Sequence, residues 1–143
     1  MVASLLVVLS GCGNSLSVAD AEGTVELDGQ PLDRIQVEFW PVGEGVRSVG
    51  TTDSEGRFML MTDDGKQQGA VLGAHKVILH DAAAVGDKFL RRAGEDVDIS
   101  EGKKPRISGA YANPEKTSLT AEVVSGKTNE FTFKVEPFAK AGG

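Results

Sequence analysis

From residue 23 onward the chain is built of short apolar stretches whose hydrophobic residues fall on alternate positions, each stretch closed by turn residues. A period of two is the signature of a strand with one buried face, because successive side chains of extended backbone point to opposite sides. In Thr24-Val25-Glu26-Leu27, Val25 and Leu27 are predicted to face a core while Thr24 and Glu26 face water; the Asp28-Gly29 that follows is a tight-turn pair. In Ile35-Gln36-Val37-Glu38-Phe39-Trp40 the inner face carries Ile35, Val37 and Phe39, and Pro41 ends the run. Thr51 to Phe58 reads as a further hairpin, with Asp53 bonding the backbone two residues on and Gly56 at positive φ; Phe58 and Leu60 then point inward. Residues 73–80 are apolar enough for the middle of a sheet. Residues 119–123 and 131–135 supply the last two strands, with turn chemistry in Ser125-Gly126-Lys127-Thr128-Asn129 between them. No long amphipathic helix competes. About seven strands of this kind must lay two sheets face to face, so the expected fold is all-β, a seven-stranded antiparallel Greek-key β-sandwich.

One such domain fits the length of 143 residues, and at this size a hydrophobic core suffices without disulfides. The 18 glycines lie mostly between the apolar runs, as a fold with many turns requires. A net charge of −6 with no basic stripe argues against nucleic-acid binding and fits a solvated surface. The stretch 81–106 breaks the pattern: it mixes charges with a Phe89-Leu90 pair and has glycines at 86, 94 and 102. It is expected to be a long surface loop, with one helical turn around Asp87–Arg92, serving either function or mobility.

The first residues obey a different grammar. Val2 to Leu9 form a nearly continuous apolar run, far short of the ~20 residues that span a bilayer as a helix and suited to the hydrophobic part of a signal peptide. Leu9-Ser10-Gly11-Cys12 follows, and it resembles the lipobox of bacterial lipoproteins: an aliphatic residue, two small residues, then a cysteine. Cys12 is the chain's single cysteine, so it has no partner for an intramolecular disulfide. The resemblance implies that its sulfur accepts a diacylglyceryl group, that the signal peptide is cut before it, and that the freed amine can take another acyl chain such as palmitate. Each buried methylene contributes about 0.8 kcal/mol, so two or three chains make a lasting anchor where one does not. The alternative is a buried N-terminal strand with an unmodified thiol. Met1-Val2-Ala3-Ser4 carries no Lys or Arg where the family has a basic leader, which is expected if the true start lies upstream. Gly13, in place of an Asp after the cysteine, implies an outer rather than an inner membrane where a cell has two. The expected organisation is a signal peptide over 1–11, a lipidated cysteine and flexible tether over 12–22, the sandwich over 23–136 and a disordered tail over 137–143.

Gly23-Thr24-Val25, Leu27-Asp28-Gly29, Pro31-Leu32, Thr52-Asp53, Gly56-Arg57-Phe58, Gly73 and Lys76-Val77, in that order and spacing, resemble the carboxypeptidase regulatory-like domain, a transthyretin-like (prealbumin-like) sandwich. Ile107 to Tyr111, Asn113-Pro114, Thr117 to Thr120, Gly126, Asn129, Phe131 and Phe133 resemble the ending of small bacterial lipoproteins that carry it. His75 and Ser108 stand where the family often has an aromatic residue and a proline, and the 81–106 stretch is longer than its usual linker. The resemblance implies an accessory module.

Candidate chemistry is sparse. The only histidines, His75 and His80, are five residues apart and so fall on opposite faces of one strand, unable to share a metal ion. His75, in line with Val77 and Leu79, is expected in the core or at its rim. Asp63-Asp64 and Asp96, Asp98 and Glu101 offer oxygens to calcium but match no EF-hand loop, and solvated acidic turns are the commoner use. Ser100 and Lys103 have the Ser-x-x-Lys spacing of some acyl-transfer enzymes, but Gly102 opposes the helix that motif needs. A hydrolase of 5-hydroxyisourate shares the transthyretin-like fold and is the alternative function; its Tyr-Arg-Gly-Ser ending and histidine pair have no counterpart here. No cofactor, metal or catalytic set is therefore expected. The expected function is a non-enzymatic, lipid-anchored envelope module, structural or binding a protein or polysaccharide, with Trp40 as the candidate contact aromatic, packing under the long loop being the commoner use of such a residue.

Overall fold

The computed structural model describes residues 16–85 and 105–139. Among them are β1 (Val18–Ala19), β2 (Ala21–Leu27), β3 (Gln30–Pro31), β4 (Ile35–Pro41), β5 (Ser48–Thr51), β6 (Arg57–Met59), β7 (Met61–Thr62), β8 (Ala70–Val71), β9 (Gly73–Asp81), β10 (Thr120–Val123) and β11 (Asn129–Val135). A helical turn, Ala82–Val85, follows β9, and a 3-10 helix, Gly109–Ala112, precedes β10. The fold is all-β, and the expected strands are all present, interleaved with very short ones that alternation cannot reveal.

Three sheets form. A five-stranded sheet runs β10-β9-β4-β5-β7, antiparallel throughout. The smaller sheet has β2 at its centre, with β11 along one edge and β3 and β6 sharing the other. β1 and β8 make a two-stranded ribbon. Val25 from the small sheet meets Ile35, Val37, Phe39, Val77 and Leu79 from the large one in a single core. Phe39 carries the contact between the layers, its ring 5.3 Å from Phe131 in edge-to-face geometry and 6.1 Å from Phe133. Such aromatic pairs add to the burial of their surface.

Local chemistry sets the turns. Asp28 and Gly29 both adopt positive φ, 50° and 78°, and Leu27 pairs with Gln30, so the two-residue hairpin forms as the sequence predicts. At the next corner the Asp53 carboxylate accepts from the N–H groups of Glu55 and Arg57 at 2.8 and 3.0 Å, and Gly56 takes a φ of 74°. Those N–H groups hold the exposed Asp53 carboxyl below its ordinary pKa.

Several expectations are corrected. The Thr51–Phe58 corner is not a hairpin: β5 belongs to the large sheet and β6 to the small one, so the chain crosses between layers there and returns as β7. The arrangement is not wholly antiparallel either, since β11 runs parallel to β2 from Asn129↔Ala21 to Val135↔Leu27. The cause is Asn129, whose side-chain amide donates to the carbonyls of Asp20 and Val124 while its oxygen accepts from the Val124 N–H. This buried clamp turns the chain out of β10 and starts β11 where β2 starts. Paired strand structure is present before residue 23, in β1 and the start of β2. The tail expected over 137–143 is paired at its start: Pro137 bridges Ile107, and the Phe138 N–H donates to the Arg106 carbonyl at 3.1 Å. Residues 81–85 and 105–106 are described, at the two ends of the 81–106 stretch, while the helical turn expected at 87–92 lies outside the described residues.

Candidate functional site

The five-stranded sheet has a second face, turned away from the core. Gln36, Glu38 and Trp40 project there from β4, opposite the inward Val37 and Phe39, and the register sets them beside His80, Ile78 and Lys76 of β9. Glu38 is only 5% exposed. A carboxylate buried on a sheet face needs compensation, and two partners supply it. Arg47, just before β5, donates from Nη1 to Oε1 at 3.0 Å; His80 meets Oε2 through Nε2 at 2.8 Å. Arg47 also donates from Nε to Asp63 Oδ2 at 2.9 Å, and its guanidinium lies 5.9 Å from the centre of the Trp40 ring. That distance is within the range of a cation–π contact.

The result is a chain of polar contacts, Asp63–Arg47–Glu38–His80, with Trp40 under the guanidinium. A shallow cleft of about 320 Å³ opens beside it, lined by Trp40, Pro41, Gly45 and Arg47. Trp40 Nε1 and Gln36 Oε1 are buried on this face without a hydrogen-bond partner in the structure. The arrangement offers a planar apolar ring, a fixed guanidinium and a rim carboxylate, which suit recognition of a planar or acidic group.

A second polar cluster sits at the far end of β9. Arg106 wraps the Asp81 carboxylate, donating from its backbone N–H, Nε and Nη2 at 2.9, 3.0 and 2.9 Å. It also donates to the Asp33 carboxylate and carbonyl at 2.9 and 2.6 Å. Burial raises the Asp81 carboxyl, but the Arg106 bonds outweigh it and leave the group below its ordinary pKa; the same bonds raise Arg106. This clamp joins the two ends of the 81–106 stretch, and its role is structural.

The structure places the other sequence candidates as follows. His75 and His80 do lie on opposite faces. His75 is in the core, donating from Nε2 to the Val71 carbonyl at 2.7 Å, its ring 5.5 Å from Phe39. Burial pushes its imidazole below the ordinary histidine range, and Nδ1 has no partner. Asp64 accepts from the Thr62 hydroxyl and the Lys66 N–H, which lower its pKa, so with Asp63 on Arg47 both carboxylates are engaged within the protein. Among the described residues no cluster of three His, Cys, Asp or Glu is placed to hold a metal ion. Leu9, Ser10, Gly11 and Cys12 lie outside the described residues, as do Asp96, Asp98, Ser100, Glu101 and Lys103. Trp40 points outward, as its position beside Phe39 predicts, and is half-buried. The partners that surround it were not foreseen: Glu38, Arg47 and His80 come from different segments, and only the register of β4 with β5 and β9 brings them together.

No protein-family description, no curated protein and no solved structure matches this chain.

Proposed function

We propose that the chain is a lipid-anchored module of a bacterial cell envelope, held by Cys12 and presenting a non-enzymatic β-sandwich that binds a protein or polysaccharide or serves as a structural element. The observation that carries this reading is Leu9-Ser10-Gly11-Cys12 behind an apolar run too short to span a bilayer. The described residues begin at Leu16, only four positions after Cys12. Gly13 favours the outer membrane. A Greek-key sandwich of the carboxypeptidase regulatory-like, transthyretin-like kind is the finer fold we assign, supported by the two-layer core and by the Asp28-Gly29 hairpin and Asp53–Gly56 corner where the resemblance places them.

The binding part of the reading centres on Trp40 and Arg47. In the observed network the Glu38 carboxylate is occupied by Arg47 and His80, an arrangement that holds side chains in place rather than one aimed at a reacting atom.

Intact-mass analysis of the protein extracted from cells tests the anchor. The expected product begins at Cys12 and carries a thioether-linked diacylglyceryl group, and a Cys12→Ser variant loses membrane association. A free thiol with Met1 retained, or a variant as firmly membrane-bound as the parent, overturns the reading.

A further inference from the structure

We infer that the end of the sandwich at which the chain enters is a lipid-contacting surface, seated on the bilayer by aliphatic side chains at its loop tips. Among the described residues, five of the large apolar side chains left exposed gather there: Leu16, Val42, Val46, Leu72 and Val124, with Val42 the most exposed at 67%; Met59 of β6, Met61 of β7 and Phe138 are exposed elsewhere. Four segments far apart in the chain bring them together. β4 ends at Pro41 opposite His75, and the Val42 N–H donates to the Ala74 carbonyl at 2.9 Å, so the 42–47 loop overhangs the start of β9. Leu72 joins β8 to β9 and donates its N–H to the Ser17 carbonyl at 3.0 Å. Leu16 lies against the same loop: a Cβ built on Gly45 would stand 3.0 Å from both Leu16 Cδ1 and the Val71 side chain. Val123 pairs with Gly73, which carries Val124 past the same edge.

The opposite end differs in kind. Its turns display Asp28, Asp33, Arg34, Asp53 and Glu55 to solvent, and Phe138 is the exposed large apolar side chain found beyond the last strand there. Isolated exposed apolar side chains are ordinary, but five aliphatic ones from four segments meeting at one end of a small domain mark a contact surface.

The occupant we assign is lipid, and the assignment rests on the reading of Cys12 as the acylated residue. Leu16 lies four residue steps from Cys12, which fully extended span at most about 14 Å. An acyl group on Cys12 therefore holds this end, and not the acidic one, against the headgroups. The character of the tips agrees: the side chains at their ends are aliphatic, while Trp40 borders them from the outer face of the sheet, in the cleft it lines with Pro41, Gly45 and Arg47. Charges nearby are mixed, with Glu44 and Asp63 set against Arg47 and Lys127, so the contact is apolar rather than electrostatic and needs no anionic lipid.

The test uses the mature acylated chain, its mass verified, in phosphatidylcholine vesicles. Val42→Cys and Leu72→Cys variants are labelled with an environment-sensitive fluorophore, with Glu55→Cys as the far-end control. Expected are blue-shifted emission and quenching by nitroxide lipids at positions 42 and 72, neither of them at 55. A Val42→Asp/Leu72→Asp double variant should transfer between vesicles at least about tenfold faster, as the loss of buried aliphatic surface requires. Flotation with vesicles but no shift at 42 or 72 overturns the seating and leaves the anchor standing. An unmodified Cys12, or no flotation, overturns both. A shift at 42 and 72 that needs no vesicles and grows with protein concentration makes this end a contact between copies, and overturns the lipid assignment.

Discussion

The two faces of β9 show how one strand carries two kinds of structure. On the inner face His75, Val77 and Leu79 are buried among Phe39, Phe133 and Val25, and even the histidine is held by a single backbone carbonyl. On the outer face Ile78 is just as buried, yet it lies between His80 and Lys76 and beside Glu38, whose carboxylate is held by two cationic or cation-forming side chains. The inner face depends on shape and the exclusion of water. The outer depends on a few directional bonds. Removing a group from the first should cost packing, and removing one from the second should cost only its partners' satisfaction.

The sharpest way to break that contrast is Phe39→Ala. It empties the site where both sheets meet and should destabilise the fold by about 4 kcal/mol in urea unfolding, as large aromatic truncations do. A loss below about 1 kcal/mol would mean that Phe39 does not carry the contact between layers. Next comes Arg106→Leu, which strands the buried Asp81 carboxylate at the end of the inner face; about 3 kcal/mol is expected, somewhat short of a fully buried pair because Arg106 is partly exposed. Its pH dependence is a second readout. The Asp81 pKa is lowered on folding, so its contribution is present above the unfolded carboxylate value of about 3.9 and fades as pH falls through the lower folded value. The variant should lose that acid sensitivity.

Glu38→Gln probes the outer face and should cost about 1.5 kcal/mol, the range of a hydrogen bond to a charged group, with the Trp40 fluorescence changed as Arg47 is released. A cost equal to that of Phe39→Ala would erase the contrast between the faces. The smallest effect is expected at His75. Burial lowers its pKa on folding, so the unfolded chain takes up the proton first and stability declines as pH falls below about 6.5. His75→Phe should flatten this slope between pH 7 and 5; an unchanged slope would assign it to another group.

What the sequence disclosed follows the same division. Alternation is a local signal, so Ile35, Val37, Phe39, Val77 and Leu79 could be assigned to the core from their positions alone, and Asp28-Gly29 and Asp53–Gly56 could be read as turns because their chemistry is local too. Partnership between strands is not local. Nothing in Thr51–Phe58 says that the chain changes layers there, and nothing in residues 131–135 says that they lie parallel to residues 21–27. The outer-face network was hidden for the same reason. Glu38 and His80 are 42 positions apart, and each alone reads as a polar residue on the solvent side of a strand. The buried Asn129 was legible only as turn chemistry, although it is the residue that directs β11 to its place.

The pairing of β2 with β11 has a consequence for how the domain is made. Ala21 pairs with Asn129, which lies far along the chain. Until the two pair, one long edge of the first large strand stands open, with its amides unsatisfied and able to pair wrongly. The small sheet therefore closes only once residues 129–135 are free to pair, and a chain truncated before residue 129 should behave as an aggregation-prone intermediate instead of a smaller domain.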